Sequence, residues 1–481
     1  MIIPPPVPAP TSFQTLFQDV SGYTHDLTDA NAARARVRSA VRSAKRQLAA
    51  APATTGGDWA AAHKQLAKLT EPLDDVRPQA TTDYLPYLYA VLKCVETDDL
   101  LLKNEPVFIW KSSLSSQPLK KPNQRIQLVS LHAELAATLL THAICLANHA
   151  DVLVQSLGSY ETSVTMTSAA LKAHDETVNV AADMLCRASG VLMHLAEVVI
   201  PRWETGVGEE WRRRPVEFTR DVATALAKMF QADANLLAIR RLLSRAISVA
   251  TSTTTPGPPL SSSHPSPSLL AKLHLHVFTL YDEARALVKA APRNPDAQGE
   301  ISPLLRRYLS DGRSLSQALS YKWLGVDCGE NGSGDRAGDA LGWLAMAKTE
   351  LEQVQGKTSG LKSLKMGKGK AAGKTRKSKV AEELDSVFAF TSAYKKVNDT
   401  VHFRSVTPSS TLLLSIPAGR AALVSKAFTP PQSAFQTRGS RGSGRTGPPA
   451  VDLDLASLDV ADDSSDDEES AADYFGAGQY F

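Results

Sequence analysis

The sequence predicts a mostly α-helical protein, and three observations support this class. Aromatic residues make up only 6% of the 481 residues, whereas Ala and Leu are frequent, which favours close-packed helices over sheets rich in Val, Tyr and Phe. Apolar residues recur at helical spacing through most of residues 29–400. Finally, residues 129–157 carry only Glu134 and Asp151 as ionised side chains, which is typical of a helix buried on nearly every side.

The predicted helices follow one another with short breaks between them. Val178, Leu185, Leu192 and Val199 recur every seven residues with small residues between them, a pattern that predicts a close helix–helix seam. Pro201 is expected to end that helix. The predicted helical segments are residues 29–50, 58–70, 82–103, 129–157, 160–200, 216–250, 268–291, 301–324, 336–356 and 380–400.

One part of the chain has the composition of β-strands. Residues 107–110 (Val-Phe-Ile-Trp) are β-branched and aromatic, and residues 125–128 (Arg-Ile-Gln-Leu) follow a polar loop that contains proline. We expect these two segments to pair as a small β-hairpin.

Composition also predicts the domain organisation. One helical domain is expected over residues 12–400, with a flexible Ser/Thr/Pro-rich loop at 251–267. A flexible insertion is expected at 357–379, which holds nine Lys or Arg residues and no acid. Residues 401–435 then lead to a disordered acidic tail at 436–481, because the last 30 residues carry ten Asp or Glu. Ser464 and Ser465 lie among these acids, a context that suits phosphorylation by an acid-directed kinase.

The residue types that carry catalysis do not converge anywhere in the sequence. There is no G-x-x-x-x-G-K-[ST] phosphate loop and no G-x-S-x-G motif. Cys145 lies between His142 and His149 at helical spacing, and we interpret these as core residues rather than a nucleophile with its base. His274 and His276 would point about 200° apart on a helix and cannot share a metal. We therefore expect no catalytic residue, no cofactor and no metal.

The basic segment 357–379 has two interpretations. It could hold anionic lipid head groups or nucleic acid by charge alone, or it could be a solvated loop. No aromatic residues lie among the lysines, which weakens the case for single-strand binding. The net charge of +3 on the whole chain is also too small to indicate a general nucleic-acid binder.

Several motifs resemble one family. The hairpin residues Phe108-Ile-Trp-Lys111 lead through a polar loop into Gln127-Leu-Val-Ser-Leu-His-Ala-Glu134, and this order resembles the Bro domain of Alix-type endosomal adaptors. Five further stretches are informative: Tyr84-Leu-Pro-Tyr-Leu-Tyr89, Lys322-Trp-Leu-Gly-Val326, Val397-Asn-Asp-Thr-Val401, Ser415-Ile-Pro-Ala-Gly-Arg420 and the aromatic end at 474–481. Within the family, these stretches resemble fungal regulators of the response to ambient pH.

The resemblance implies a fold and a function. It implies an elongated, boomerang-like domain of stacked helical hairpins, with residues 401–435 as a family-specific extension. It implies a non-enzymatic adaptor in fungal alkaline-pH signalling that binds the C-terminal amphipathic helix of an ESCRT-III filament subunit, together with other pathway components. Such a protein would be cytoplasmic and recruited to cortical plasma-membrane sites or endosomes by its partners, without nucleic acid. The alternatives are a general multivesicular-body sorting adaptor, or an anionic-membrane or nucleic-acid binder acting through the basic insertion.

A partner helix would need an exposed apolar strip on this domain. Approximate position against the family's helices indicates two groups of candidates, although all of them could be ordinary core residues. Arg420 is a further candidate, because it could either pin the tail back or meet an acidic partner. The apolar candidates are Leu226, Met229, Phe230, Leu344 and Leu351.

Overall fold

The computed structural model describes most of the chain, from residue 1 to residue 438. The described ranges are residues 1–50, 59–70, 80–116, 125–162, 166–206, 214–252, 258–293, 297–359 and 370–438.

Helices dominate the described residues, so the predicted mostly α-helical class is confirmed. In chain order the helices are α1 (Thr24–Ala50), α2 (Trp59–Thr70), α3 (Ala80–Glu96), α4 (Leu131–Leu157), α5 (Ser168–His194), α6 (Ile200–Gly206), α7 (Arg220–Ser252), α8 (Pro267–Ala290), α9 (Pro303–Asn331), α10 (Ala337–Ser359), α11 (Lys370–Val397) and α12 (Ser409–Leu413). One turn of π-helix joins α5 to α6 (Leu195–Val199), and another follows α11 (Asn398–His402).

The predicted hairpin is confirmed, and a third strand extends it. Strands β2 (Val107–Lys111) and β4 (Arg125–Val129) pair antiparallel, with Ile109 opposite Gln127. The proline-rich N-terminus adds β1 (Val7–Pro8) along the other edge of β2, because prolines are tolerated on an edge strand. Two short strand pairs complete the described sheets: β3 (Ser115–Ser116) with β7 (Glu300–Ile301), and β5 (Arg214–Pro215) with β6 (Ala297–Gln298).

The helices from α4 onward form a row in which most neighbours in sequence are neighbours in space. Contacts run from α4 to α5, then to α7, α8, α9, α10 and α11. The inner helices of such a row are covered on two sides. Accordingly, Leu131–Leu157 and Ser168–Gly206 are long and apolar enough to span a membrane by length and composition, but most of each is buried against other helices of the protein.

Local signals explain where several helices begin. The Ser130 hydroxyl accepts from the His132 N–H at the start of α4, and the Thr167 hydroxyl accepts from the Ala170 N–H at the start of α5.

Pro201 was expected to end the fifth predicted helix, and this prediction is wrong. The helix continues through the π turn into α6, and that wider turn lies directly before Pro201, where the proline ring would otherwise crowd the preceding turn.

The seam predicted along α5 is confirmed. Val178, Leu185, Leu192 and Val199 are all buried, and the Ser189 hydroxyl between them donates to the Ala227 carbonyl of α7 at 2.9 Å. The small residues therefore let the two helix backbones approach closely.

The two segments expected to be flexible lie partly among the described residues. In the loop at 251–267, residues 258–266 are described and lead to α8, while residues 253–257 lie outside the described residues. In the basic insertion at 357–379, α10 extends to Ser359 and α11 begins at Lys370, so both flanks are helical; residues 360–369 lie outside the described residues.

Residues 403–438 cross most of this helical row in a largely extended conformation, and we call them the strap. The strap meets α10, α8, α7, α5 and α3 in turn. Its backbone N–H donors and their acceptors are Thr407 to Gly338 O (3.2 Å), Arg420 to Lys272 O (2.9 Å), Ala422 to Asn235 Oδ1 (2.8 Å), Lys426 to Cys186 O (3.1 Å) and Ala434 to Pro86 O (3.1 Å).

Candidate functional site

The five apolar residues predicted to bind a partner are buried in the core. None of their side chains is more than 2% exposed. They therefore cannot form an exposed strip, and the candidate surface must lie elsewhere. These residues are Leu226, Met229, Phe230, Leu344 and Leu351.

The neighbours of these residues explain their burial. Helix α7 lies between α5 and α8, so both of its apolar faces are covered by other helices. Leu344 faces α9 at Gly325, where a Cβ atom would lie 2.8 Å from the Leu344 Cγ. An apolar pattern that is wider than one face thus indicates a central helix, not a docking groove.

The strap covers the remaining edge of α7, and Asn235 is its main anchor there. The Asn235 Oδ1 accepts from the Ala422 and Leu423 N–H groups at 2.8 and 3.0 Å. Its Nδ2 donates to the Leu423 carbonyl at 3.0 Å. The buried amide therefore replaces the hydrogen bonds that a neighbouring strand would give the extended backbone.

Aromatic contacts hold the far end of the strap. Phe428 lies against the His194 ring at a centroid distance of 5.1 Å, and the buried Phe435 lies against Tyr23 at 5.7 Å. The Arg438 guanidinium stacks over the same Tyr23 ring at 5.5 Å. Arg420 is exposed within this segment, and its backbone N–H bonds to α8. Its role in meeting an acidic partner stays a prediction.

A group of exposed apolar side chains lies where α11 meets the start of the strap, and we call it the distal patch. Val397 and Val401 are four residues apart on α11 and the following π turn, and Phe403 and Leu414 are 76% and 90% exposed. Exposed large apolar side chains that are concentrated in one segment indicate an interaction surface. The patch consists of Val397, Val401, Phe403, Val406, Leu413 and Leu414.

Sequence reasoning missed the distal patch, although it had singled out two of its members. Val397 and Val401 belong to one of the stretches that carry the family resemblance. Their spacing of four residues is equally typical of a core-facing helix stripe, so exposure could not be read from the pattern.

The residues rejected as catalytic candidates are held in the core. His142 Nδ1 lies 2.9 Å from the Thr81 hydroxyl, and His149 Nδ1 lies 2.7 Å from the Thr70 hydroxyl. Burial lowers the pKa of His142 to about 4 and raises the pKa of Cys145 to about 12. A buried protonated thiol is a poor nucleophile.

The remaining candidates from the sequence are His274, a metal site and two possible phosphosites. Burial also lowers the pKa of His274, to about 4. The described residues contain no group of three or more His, Cys, Asp or Glu placed to hold a metal. The possible phosphosites Ser464 and Ser465 lie outside the described residues.

Comparison with known proteins agrees with this architecture. The family model described as "BRO1-like domain" matches residues 58–441. The chain therefore belongs to the BRO1-like domain family, as the motifs around the hairpin indicated. It is 38% identical over 393 residues to "pH-response regulator protein palC" of Cryptococcus neoformans var. neoformans serotype D (strain B-3501A), an alignment that covers 73% of this chain and 80% of that protein.

Two solved structures are similar in fold. One, described as "Structure basis for endosomal targeting by the Bro1 domain", has a TM-score of 0.51 and 14% identity, over 89% of this chain and 92% of that chain. Another, described as "ALIX BRO1 CHMP4C complex", has a TM-score of 0.49 and 15% identity, over 91% and 98% of the two chains. The first likeness shows that the helical row is a Bro1-type fold.

Proposed function

We propose that this protein is a non-enzymatic adaptor in the fungal response to alkaline ambient pH. In this role it binds the C-terminal amphipathic helix of an ESCRT-III subunit and helps to assemble a signalling and proteolysis complex. It is cytoplasmic and reaches cortical or endosomal membranes through its partners. The observation that carries the proposal is the 38% identity to a palC protein along most of both chains.

The distal patch supports helix binding because six exposed large apolar side chains fall within residues 397–414. On the central helices, the predicted anchors are buried and the strap covers the edge of α7. At the distal patch, Val397 and Val401 offer apolar contacts one helical turn apart. An amphipathic helix that laid its apolar face here would bury side chains that now face water.

Basic residues border the distal patch and favour an acidic partner. Lys395 and Lys396 precede Val397, and Arg404 follows Phe403. Lys395 is already paired with Asp399 at 2.6 Å, and Arg404 with Asp335. Lys396 remains exposed beside the apolar residues, so a helix with a carboxylate at its rim would gain an ion pair and orientation.

The test measures binding of fluorescent peptides from ESCRT-III C-terminal helices to the full chain by anisotropy, at low and high salt. We expect micromolar affinity for one peptide, and at least about tenfold weaker binding for Val401→Asp and Leu414→Asp, because a charge would replace an apolar contact. Leu304→Asp is the matched control, since Leu304 is 66% exposed at the start of α9. Equal affinity of all four proteins would exclude the distal patch.

A second experiment separates this role from the alternatives. Cells that lack the protein should grow poorly only at alkaline pH and should sort vacuolar cargo normally. Missorted cargo at neutral pH would instead indicate a general multivesicular-body adaptor. Loss of peptide capture at high salt, together with loss of function when the basic insertion 357–379 is deleted, would favour the membrane or nucleic-acid alternative.

A further inference from the structure

We propose that a cavity of about 320 Å³ beneath the strap binds a small soluble phosphate monoester. The cavity lies between α3, the start of α4, the junction of α5 with α6, and the strap. Its volume falls within the range of small-molecule sites. This site is separate from the distal patch and does not depend on the proposed ESCRT-III partner.

The walls of the cavity are rich in hydrogen-bond donors. Arg202 and Lys93 bring two positive charges, and the single acid in the lining is Glu96. His132, His194 and Tyr89 add two imidazoles and a phenol. The Tyr89 hydroxyl and the His194 Nε2 lie 3.4 Å apart, so these two groups point into the same space.

Arg202 is the electrostatic centre of this cavity. Within the described part of the chain its guanidinium forms no ion pair, although it is close enough for its charge to act on three lining groups. Desolvation is the largest cause of the lowered pKa of His194, and Arg202 lowers that pKa further. Desolvation also lowers the pKa of His132, where Glu96 opposes the shift and Arg202 adds to it, and Arg202 opposes the rise in the pKa of Tyr89. An anion bound beside Arg202 would gain charge-assisted hydrogen bonds from its guanidinium.

The π turn between α5 and α6 helps to gather these groups. His194, Val198 and Arg202 are spaced by four residues and all line the cavity. In a regular α-helix each step of four residues turns the side chain by about 40°. The wide turn at Leu195–Val199 offsets part of this rotation, so that His194 and Arg202 face one cavity. Such turns occur frequently at functional sites.

The geometry favours a phosphate monoester over a carboxylate. A carboxylate presents two oxygens, whereas a phosphate monoester presents three strongly accepting terminal oxygens and carries nearly two charges near neutral pH. The cavity offers a fork-shaped guanidinium, an ammonium, two imidazoles and a phenol. These groups have more hydrogen-bond donors than the two oxygens of a carboxylate can accept.

The rest of the cavity suits a compact organic group attached to the phosphate. Leu92, Leu135 and Val199 form apolar wall, and Pro430 and Pro431 of the strap close the opposite side. The strap forms one wall of the space, and the exposed Lys93 and Arg202 lie on its open side, so a free small molecule can enter with its phosphate towards these two charges. Phenyl phosphate is therefore a suitable probe.

Binding should depend on pH in a defined direction. The titratable groups that face the two histidines are Tyr89, Lys93 and Glu96 of α3 and Arg202 of α6, and Ser433 from the strap does not titrate in this range. The histidines are neutral at pH 8 and resist protonation. A bound dianion would stabilise their charged forms, so affinity should rise as the pH falls from 8 towards 6.5.

The experiment is isothermal titration of the full chain with phenyl phosphate at pH 8, 7 and 6.5. We expect saturable binding that strengthens as the pH falls and is at least about tenfold weaker in Arg202→Gln, since one charged hydrogen-bonding partner is lost. Benzoate should bind more weakly. Arg285→Gln is the matched control, because Arg285 is exposed on α8 and does not line the cavity.

Three outcomes would overturn the proposal. One is the absence of saturable binding by the native chain, and another is equal affinity in Arg202→Gln and Arg285→Gln. The third is benzoate binding as tightly as phenyl phosphate. Lys93→Gln provides a second variant if Arg202→Gln unfolds. Helix-peptide binding at the distal patch should be unchanged in both variants, which separates this test from that of the proposed function.

Discussion

Glu134 shows at the scale of one residue how the N-terminal half is held together. The carboxylate is fully buried and accepts from Arg34 Nε at 2.7 Å, Tyr84 Oη at 3.0 Å and Trp110 Nε1 at 2.7 Å. Arg34 also donates to the Ala9 carbonyl of the chain end that follows β1. One carboxylate on α4 therefore links this helix to α1, α3 and strand β2. Arg34 extends the network to the residue that follows β1.

Glu134→Gln should lower the free energy of unfolding by about 3–5 kcal/mol, because it leaves the buried Arg34 guanidinium without its counter-charge. Urea denaturation followed by circular dichroism measures this loss. Asp399→Asn is the control, since it breaks the exposed pair with Lys395 and should cost less than about 1 kcal/mol. Equal losses in the two variants would contradict the assigned role of Glu134.

The strap is the element whose position was hardest to predict. Residues 401–435 were expected only to extend the helical domain, because extended segments of Pro, Ser and Gly carry no periodicity to read. In the structure their fixed points are long-range contacts, such as Asn235 with Leu423. Nothing in the sequence around Asn235 or Leu423 indicates that these two residues meet.

Gly190 tests whether the strap is seated on α5 as described. A Cβ atom at this position would lie 1.6 Å from the Lys426 carbonyl oxygen, so Gly190→Ala must push the strap backbone away from α5. We expect faster amide hydrogen exchange and faster proteolysis within 415–438, while the helices keep their protection. Gly206→Ala is the control, because nothing lies within 4 Å of its new Cβ atom. Identical strap protection in both variants would contradict this placement.

Helix α7 shows why the partner-binding residues could not be chosen from sequence. Leu226, Met229 and Phe230 are apolar on a helix with more apolar positions than one face requires. The sequence shows the same excess of apolar residues whether the second face of α7 packs against a partner protein or against another helix of the same chain. Only the packing of α5 and α8 on both sides distinguishes the two.

At the scale of the whole molecule, buried histidines make stability depend on pH. Burial lowers the pKa of His142 and His274 to about 4, and of His149 to about 3, from an ordinary value of 6.5. The unfolded chain therefore binds protons at these three sites below pH 6.5 while the folded chain does not. Stability should be retained above pH 6.5 and fall as the pH drops from 6.5 towards 4.

Urea denaturation between pH 7.5 and 4.5 checks this behaviour. His149→Gln should show a shallower fall in the free energy of unfolding, because one of the three sites no longer titrates. Thr349→Ala should match the native slope, because Thr349 is exposed on α10 and the change removes no titratable group. The assignment would be contradicted if His149→Gln kept the full slope.

The helical class, most helix positions, the hairpin and the family could all be predicted from sequence, because periodicity, β-branched runs and short motifs are local signals. The third strand, the continuation of the helix through Pro201, the path of the strap and the phosphate cavity could not. Each depends on which surfaces meet across long stretches of chain. The same holds for the distal patch. The spacing of Val397 and Val401 is visible in the sequence, but their exposure depends on the fact that no other described helix covers that end of the row.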